Sequence, residues 1–335
     1  MENLEQEVEV KVEEDASVMN EDELFKFVDE NPDAAEKITA PRYSYWKSVL
    51  RVFFKKKSNW VVIGIFIFIL LMTYGYALFL PPTYMDIRYN PYITNGLAKN
   101  LTPIRALEVF GTPNYILGTG KYGEPLFDHI WKGSQISLSL AFICAIINMT
   151  VGVIVGAIWG FSKKVDIVMT EIYNIIANVP YILFIAVFVM VVGAGFWSFV
   201  AALTVTGWLG IAYFIRTQVL IIRDREYNLA SKCLGTRTFK LTIKNILPFM
   251  TSVIVTILAT EVPSYISYEV FLSYLGIGLS ASTPSLGRLI QQGQASMNIY
   301  PFQFWSPVFV AALITIILYI VGQNLADASD PRTHM

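Results

Sequence analysis

Two carboxylates, Glu261 and Glu269, fall in or beside an apolar stretch of membrane-spanning length, with Pro263 between them. An ionisable group at bilayer depth is costly to keep and marks a candidate translocation path. If that stretch faces a channel, Glu261 is placed to meet an amine. The competing reading is a carboxyl hydrogen-bonded to a neighbouring helix or lying near an interface. A second concentration of chemistry is the island Arg223, Asp224, Arg225, Glu226, Lys232, Arg237, Lys240 and Lys244. Placing these charges at a bilayer centre would cost roughly 2.5–3.5 kcal/mol each. The island therefore belongs in water, facing whatever partner occupies that side. Other chemistries are excluded or weak. The run Gly118–Thr119–Gly120–Lys121–Tyr122–Gly123 matches the dinucleotide spacing G-x-G-x-x-G. It has no preceding strand and no room for a βαβ unit, so turn-forming glycines explain it. No G-x-x-x-x-G-K-[ST] phosphate loop occurs, so ATP hydrolysis is not expected of this chain. His129 and His334 stand alone, and Cys144 and Cys233 suggest neither a zinc site nor a disulfide.

The elements that must carry these groups are membrane spans. The chain has 335 residues, 54% of them hydrophobic and 15% charged, with a mean hydropathy of +0.51. A span needs about 20 apolar residues. Val61–Leu80, Ser134–Gly160 and Ile172–Ile215 carry no charge, and the last is long enough for two helices and a turn. Further spans fall between Asn245 and Glu269 and between Phe304 and Ala326. The expected fold is an all-α polytopic membrane protein with six transmembrane helices. Expected divisions are an acidic, disordered tail over 1–41, an interfacial helix over 42–58, a first span over 59–80 and an outer loop over 81–133. A five-helix core over 134–327, containing the charged loop 223–248, and a C-terminal segment over 328–335 follow.

Charge sets the orientation. Residues 1–41 hold 14 acids and 3 lysines, while the remainder holds 12 acids and 22 Lys plus Arg. Lys55–Lys57, Lys163–Lys164 and the island all fall on one side of a six-span chain, which the positive-inside rule makes cytoplasmic. Both termini are expected inside, in the cytoplasmic membrane, with no cleavable signal peptide. Gly152, Gly156 and Gly160 form a small-xxx-small stripe suited to close helix packing. Pro180 is expected to kink the third span near its inner end.

The island itself reads as two short helices. Tyr227–Leu234 is closed by Gly235, where a left-handed C-cap favours glycine. Phe239–Leu247 follows, with Phe239, Ile243, Ile246 and Leu247 on one face, and Pro248 is expected to stop it. Periodicity alone leaves open whether this element lies on a surface or docks into a partner's groove.

Ala230–Ser231–Lys232–Cys233–Leu234–Gly235, with Leu247–Pro248 beyond, resembles the signature loop of ABC-importer permease subunits. Leu229, Ser231 and Asn245 depart from its general form, and Glu226–Tyr227–Asn228–Leu229–Ala230 is similar to its peptide-transporting branch. Leu117–Gly120, Phe127–Leu138, Glu269–Leu279, Thr283–Gly287 and Asn324–Arg332 resemble other segments of that branch, so the resemblance covers about residues 42 to 332. Gly120 and Glu124–Pro125, and Thr170 and Asn174, depart from the branch's pattern. In particular the chain resembles the C-type permease of a Gram-positive oligopeptide importer. The resemblance implies a type I importer permease fold with a cytosolic coupling helix. It implies Glu226, Leu229, Ala230, Ser231, Gly235 and Pro248 as the ATPase-coupling loop, with Leu229, Ala230 and Ser231 the docking face. It also implies a second permease subunit, two ATP-binding subunits that hold the ATP and magnesium, an extracellular peptide-binding lipoprotein and a peptide substrate. No cofactor, metal or nucleic acid is expected on this chain. The alternative is a self-contained secondary transporter or channel, against which stand the missing internal repeat and the scarcity of buried charge for ion coupling.

Overall fold

A computed structural model describes residues 44–80, 98–236, 238–280 and 283–330. Expectations for the acidic tail, for residues 81–97, for Arg237 and for 331–335 lie outside the described residues, as do those for the Phe239, Ile243 and Asn245 side chains. The described backbone is helical, with one isolated bridge between Thr119 and Pro125. Helix α1 (Tyr45–Lys55) leads into α2 (Lys57–Leu70), which continues through a π-helical turn, Leu71–Tyr76. Outside come α3 (Pro103–Phe110) and the hairpin to Pro125. The core runs α4 (Leu126–Phe161), α5 (Lys163–Ala177), α6 (Tyr181–Val192), α7 (Phe196–Val205) and α8 (Trp208–Arg223). Then follow α9 (Glu226–Cys233), α10 (Thr238–Leu241), α11 (Leu247–Phe249), α12 (Thr251–Tyr274), α13 (Leu286–Gln294) and α14 (Pro301–Ser329).

Five helical segments are long and apolar enough to cross a membrane, and six if α5 and α6, bent by 79° at their junction, count as one broken span. The bend falls at Asn178–Pro180, where proline disfavours helical backbone in the residue before it and supplies no N–H. Several boundaries differ from expectation. Helix α4 has 36 residues, about 54 Å at 1.5 Å per residue, and starts eight residues before the charge-free window. Asp128, His129 and Lys132 therefore stand inside a helix, buried at 1%, 0% and 5% exposure, rather than in the outer loop. Tyr76 donates to Asp128 at 2.7 Å and Asn114 at 3.2 Å, so the loop solvates this end of α4 with protein groups. Similarly α12 ends at Tyr274, which places Glu269 inside the helix rather than at its edge.

The glycine stripe sets the closest helix pair. A Cβ at Gly152, Gly156 or Gly160 would meet Ile211, the Ala212 carbonyl oxygen at 2.5 Å, or Val219, all on α8. Beside this seam Arg216 pairs with Asp166 at 2.5 Å and lies over the Trp159 and Tyr213 rings, tying α5 to α4 and α8. Helix α1 packs Val49 and Phe53 against Ala328 and donates from Tyr45 to the Ser329 carbonyl at 2.8 Å, leaving Trp46 and Leu50 exposed.

The outer hairpin explains the glycine-rich run. Gly118 and Gly123 take φ of +82° and +87°, the left-handed region that glycine enters freely. The Gly120 amide donates to the Glu124 carbonyl at 2.9 Å, and the Tyr122 amide donates to the Glu124 carboxyl at 2.7 Å. Burial raises the Glu124 carboxyl from 4.5 to about 7. A raised acid stabilises the folded hairpin below pH 4.5 and loses that contribution as pH climbs to about 7. The change corresponds to on the order of 3 kcal/mol. Amide exchange at Gly120 and Tyr122, corrected for intrinsic rates, is expected to be slower at pH 5 than at pH 8, and Glu124→Gln is expected to flatten that difference.

Candidate functional site

At one end of the bundle, α9 stands on a short tether from α8. Asn228, fully buried, donates from Nδ2 to the Ile222 carbonyl at 2.9 Å, and Arg223 donates to the Gly160 carbonyl at 2.7 Å. The Lys232 ammonium sits 5.8 Å from the Phe161 ring centroid. Helix α9 closes by a Schellman arrangement. The Thr236 amide donates to the Ser231 carbonyl at 3.1 Å and the Gly235 amide to the Lys232 carbonyl at 3.0 Å. Gly235 has φ of +80°, and no atom lies within 4 Å of where its Cβ would be, so backbone conformation rather than space demands glycine there. Glu226, Tyr227, Leu229, Ala230, Leu234 and Gly235 are exposed, Ser231 half-buried. Leu234 is 87% exposed, an apolar side chain held out on a charged element.

The second half of the island differs from expectation. Instead of an independent helix ending at Pro248, α10 runs through a π-helical turn at Thr242–Ile246 into α11, and the chain bends at Met250 before α12. Pro248 lies in the first turn of α11, where a missing N–H costs least. Ile246 and Met250 are fully buried against Met149, Ile211, Ile215 and Val219. This half is a root set in the bundle, and only α9 projects.

Within the membrane region a second site forms where two helices are interrupted. The α5–α6 bend and the α7–α8 break at Thr206–Gly207 border one cavity of about 620 Å³, closed on another side by the continuous helix α12. Glu261 is the eleventh of 24 residues in α12 and lines this cavity with Tyr173, Tyr181, Phe184, Tyr265 and Tyr268. Asn148 of α4, fully buried, donates to the Tyr265 hydroxyl at 2.7 Å and to the Leu203 carbonyl at 3.1 Å. Tyr181 donates to that same carbonyl at 2.7 Å. Tyr265 stands one helical turn from Glu261 on the same cavity wall. Along α12, Ser252, Thr256, Thr260 and Ser264 recur every fourth residue, as neighbours on one face of a helix. The last three turn their hydroxyls onto carbonyls of their own helix at 2.8–2.9 Å.

Glu269 is elsewhere. It has 0% exposure and does not line the cavity that holds Glu261. Ser137 donates to it at 2.6 Å and Ser273 at 2.9 Å, and the Leu286 amide donates to the Ser137 hydroxyl at 3.2 Å. These partners join α4, α12 and the start of α13. A Cβ at Gly287 would meet Val270 Cα at 2.8 Å, so α13 presses directly on α12.

Sequence reasoning missed Asn148, Tyr181, Tyr265, Tyr268 and Asn228. A lone Asn in an apolar span was a usable signal for Asn148, and spacings of four and seven from Glu261 were one for the tyrosines. Asn228 carried no such mark.

A polytopic bundle with broken helices within its spans and a helix projecting from one end defines a membrane permease. Comparison with known proteins agrees. A family model described as the binding-protein-dependent transport system inner membrane component matches residues 150–335. The chain is 45% identical over 313 residues to the oligopeptide transport system permease protein AmiD of Streptococcus pneumoniae, covering 93% of this chain and 98% of that one. It is 34% identical over 314 residues to OppC of Bacillus subtilis, covering 92% and 97% of the two chains. With DppC of Lactococcus lactis, a dipeptide permease, identity is 32% over 324 residues, covering 90% and 94%. The chain belongs to the oligopeptide and dipeptide permeases of this binding-protein-dependent family.

Removing the Glu269 carboxyl strands buried donors, each costing about 1–3 kcal/mol. Glu269→Ala is expected to lower the melting temperature of the detergent-solubilised protein well below that of Glu269→Gln, read by thermal unfolding.

Proposed function

We propose that this chain is one of two permeases lining the membrane channel of an ATP-driven importer of oligopeptides. The observation that carries the reading is α9, a capped helix held out from the bundle on a buried Asn228 tether, with its apolar and small side chains exposed. Such an element costs stability in an isolated subunit and is explained by a partner's groove. Leu229, Ala230 and Ser231 form the docking face on an ATP-binding subunit, and Gly235 fixes its shape. Glu226 sits in the first turn of α9, where a carboxylate favours the helix dipole. Pro248 belongs to the root and not to the docking face.

ATP and magnesium are bound by two partner subunits, and an extracellular binding lipoprotein delivers the peptide. The two ATPases closing on each other would push α9 of each permease. Because α9 is tethered to α8 at Ile222, and Arg223 at the end of α8 is bonded to Gly160 of α4, the push passes to the α4–α8 seam as a rigid body and alternates access to the channel. The charged island and both termini lie in the cytoplasm. The cavity at Glu261 and the hydroxyl-bearing face of α12 are this chain's share of the path, and Glu269 is a structural carboxylate outside it. Few charges and many backbone-like hydroxyl groups suit a carrier that accepts many peptides.

Ala230→Arg places a long charged side chain on the docking face. Disrupting an interface anchor costs ~2 kcal/mol or more, about thirtyfold in affinity. The expected outcome is a chain present at normal abundance in the membrane that no longer retains ATPase subunits or supports peptide uptake. Normal uptake by this variant would contradict the coupling role.

A further inference from the structure

We infer that the cavity at Glu261 is a binding site for a protonated primary amine, the α-amino group of a transported peptide or a lysine side chain. The inference rests on the permease reading above and names the chemistry recognised inside it. Three observations carry it. First, the cavity lining contains a carboxyl group and no Lys or Arg, so among the described residues no cation lies beside Glu261 in the cavity wall. Second, its other walls are aromatic: Tyr173, Tyr181, Phe184, Tyr265 and Tyr268. An ammonium is attracted to a carboxylate and to ring faces alike. Third, the polar wall beside the carboxyl is fixed from a neighbouring helix. Asn148 of α4 donates to the Tyr265 hydroxyl oxygen at 2.7 Å, so that hydroxyl keeps its own proton to give, four residues along α12 from Glu261 and on the same cavity wall.

The setting suits transient binding. A cavity of about 620 Å³ lies in the range of ligand sites, which run from roughly 300 to 1,000 Å³. It sits at the interruptions of two helices, the α5–α6 bend and the α7–α8 break, and transporters place substrate groups at such broken helices near the membrane midplane. One carboxyl and one hydroxyl give a foothold for the amine that every free peptide carries, whatever its side chains. Charge-assisted hydrogen bonds and ring contacts there are strong enough to orient a peptide without trapping it.

The test uses the importer complex with its ATPase subunits, in lipid nanodiscs, free of nucleotide and of the extracellular binding protein. Saturation-transfer NMR is recorded with Ala-Ala-Ala, N-acetyl-Ala-Ala-Ala and N-acetyl-Ala-Lys-Ala. The expected result is transfer to Ala-Ala-Ala that falls about tenfold or more on N-acetylation, and equally in Glu261→Gln, as loss of a hydrogen bond between charged groups requires. Transfer to N-acetyl-Ala-Lys-Ala shows that the site also accepts a side-chain ammonium, and its absence assigns the site to the α-amine alone. Equal transfer to free and acetylated trialanine, or unchanged transfer in Glu261→Gln, overturns the site. So does a Glu261→Gln complex that sheds its second permease, since Glu261 would then pair with a neighbouring subunit. Uptake of a tri- to hexapeptide mixture by the complete wild-type importer in proteoliposomes is measured in parallel. No uptake there sinks the permease reading itself, whereas uptake without amine discrimination at Glu261 sinks only this inference.

Discussion

A break in a helix inside a bilayer leaves peptide groups that no water can satisfy, and the chain must repair it with side chains. In this protein the Leu203 carbonyl is such a group. The α7–α8 break at Thr206–Gly207 interrupts the helix just beyond it, and Asn148 and Tyr181 both donate to it. A Cβ at Gly207 would stand 2.3 Å from that oxygen and 2.6 Å from Asn148 Nδ2, so the repair also requires glycine there. From this one interaction the rest of the mid-membrane site follows. Asn148 is fixed by α4 and Tyr265 by Asn148, with Glu261 four residues from Tyr265 on the same wall of α12. Tyr181 is placed just past the α5–α6 bend. The cavity is the space that two interrupted helices leave against α12, and part of its polar edge is made of the groups that mend the α7–α8 break.

The inner site obeys a different constraint. Water is present, so charge is cheap and exposed apolar surface is what calls for a partner. Helix α9 is short, eight residues, and far below the length at which a helix is stable in isolation. It persists because Asn228 bonds it to the end of α8, which Arg223 in turn fastens to α4, and because Gly235 closes it. A helix anchored so firmly at its base and so bare on its outer face transmits force well. The root from Thr242 to Met250 adds stiffness by burying Ile246 and Met250 in the same apolar cluster that lines the α4–α8 seam.

Much of this was legible from residue order because hydropathy, charge and turn chemistry act locally. The spans, the Pro180 bend, the Gly235 cap, the glycine stripe and the turn role of Gly118 and Gly123 each follow from a few adjacent residues. What escaped depends on distant partners. Helix α4 extends through Asp128 and Lys132 because Tyr76 and the Ala77 carbonyl at the end of the first span, with Asn114 of the loop, bond to them, which no window of the sequence records. Glu261 and Glu269 look alike in sequence, eight residues apart on one helix. Only the fold separates them, one facing a cavity and the other closed in by Ser137 and Ser273. The π-helical turn before Pro248 escaped for the same reason: the pull that widens it is the burial of Ile246 against α8.

The account's central claim is that this chain works only as half of a channel driven by separate ATPases. Its most direct test is purification of the chain from its own membranes in mild detergent, with mass spectrometry of what accompanies it. The account predicts a second six-span permease and two ATPases bearing phosphate-binding loops, in near-equal amounts. Recovery of this chain alone, in a preparation that still transports, would contradict the coupling role of α9 and favour a self-contained carrier.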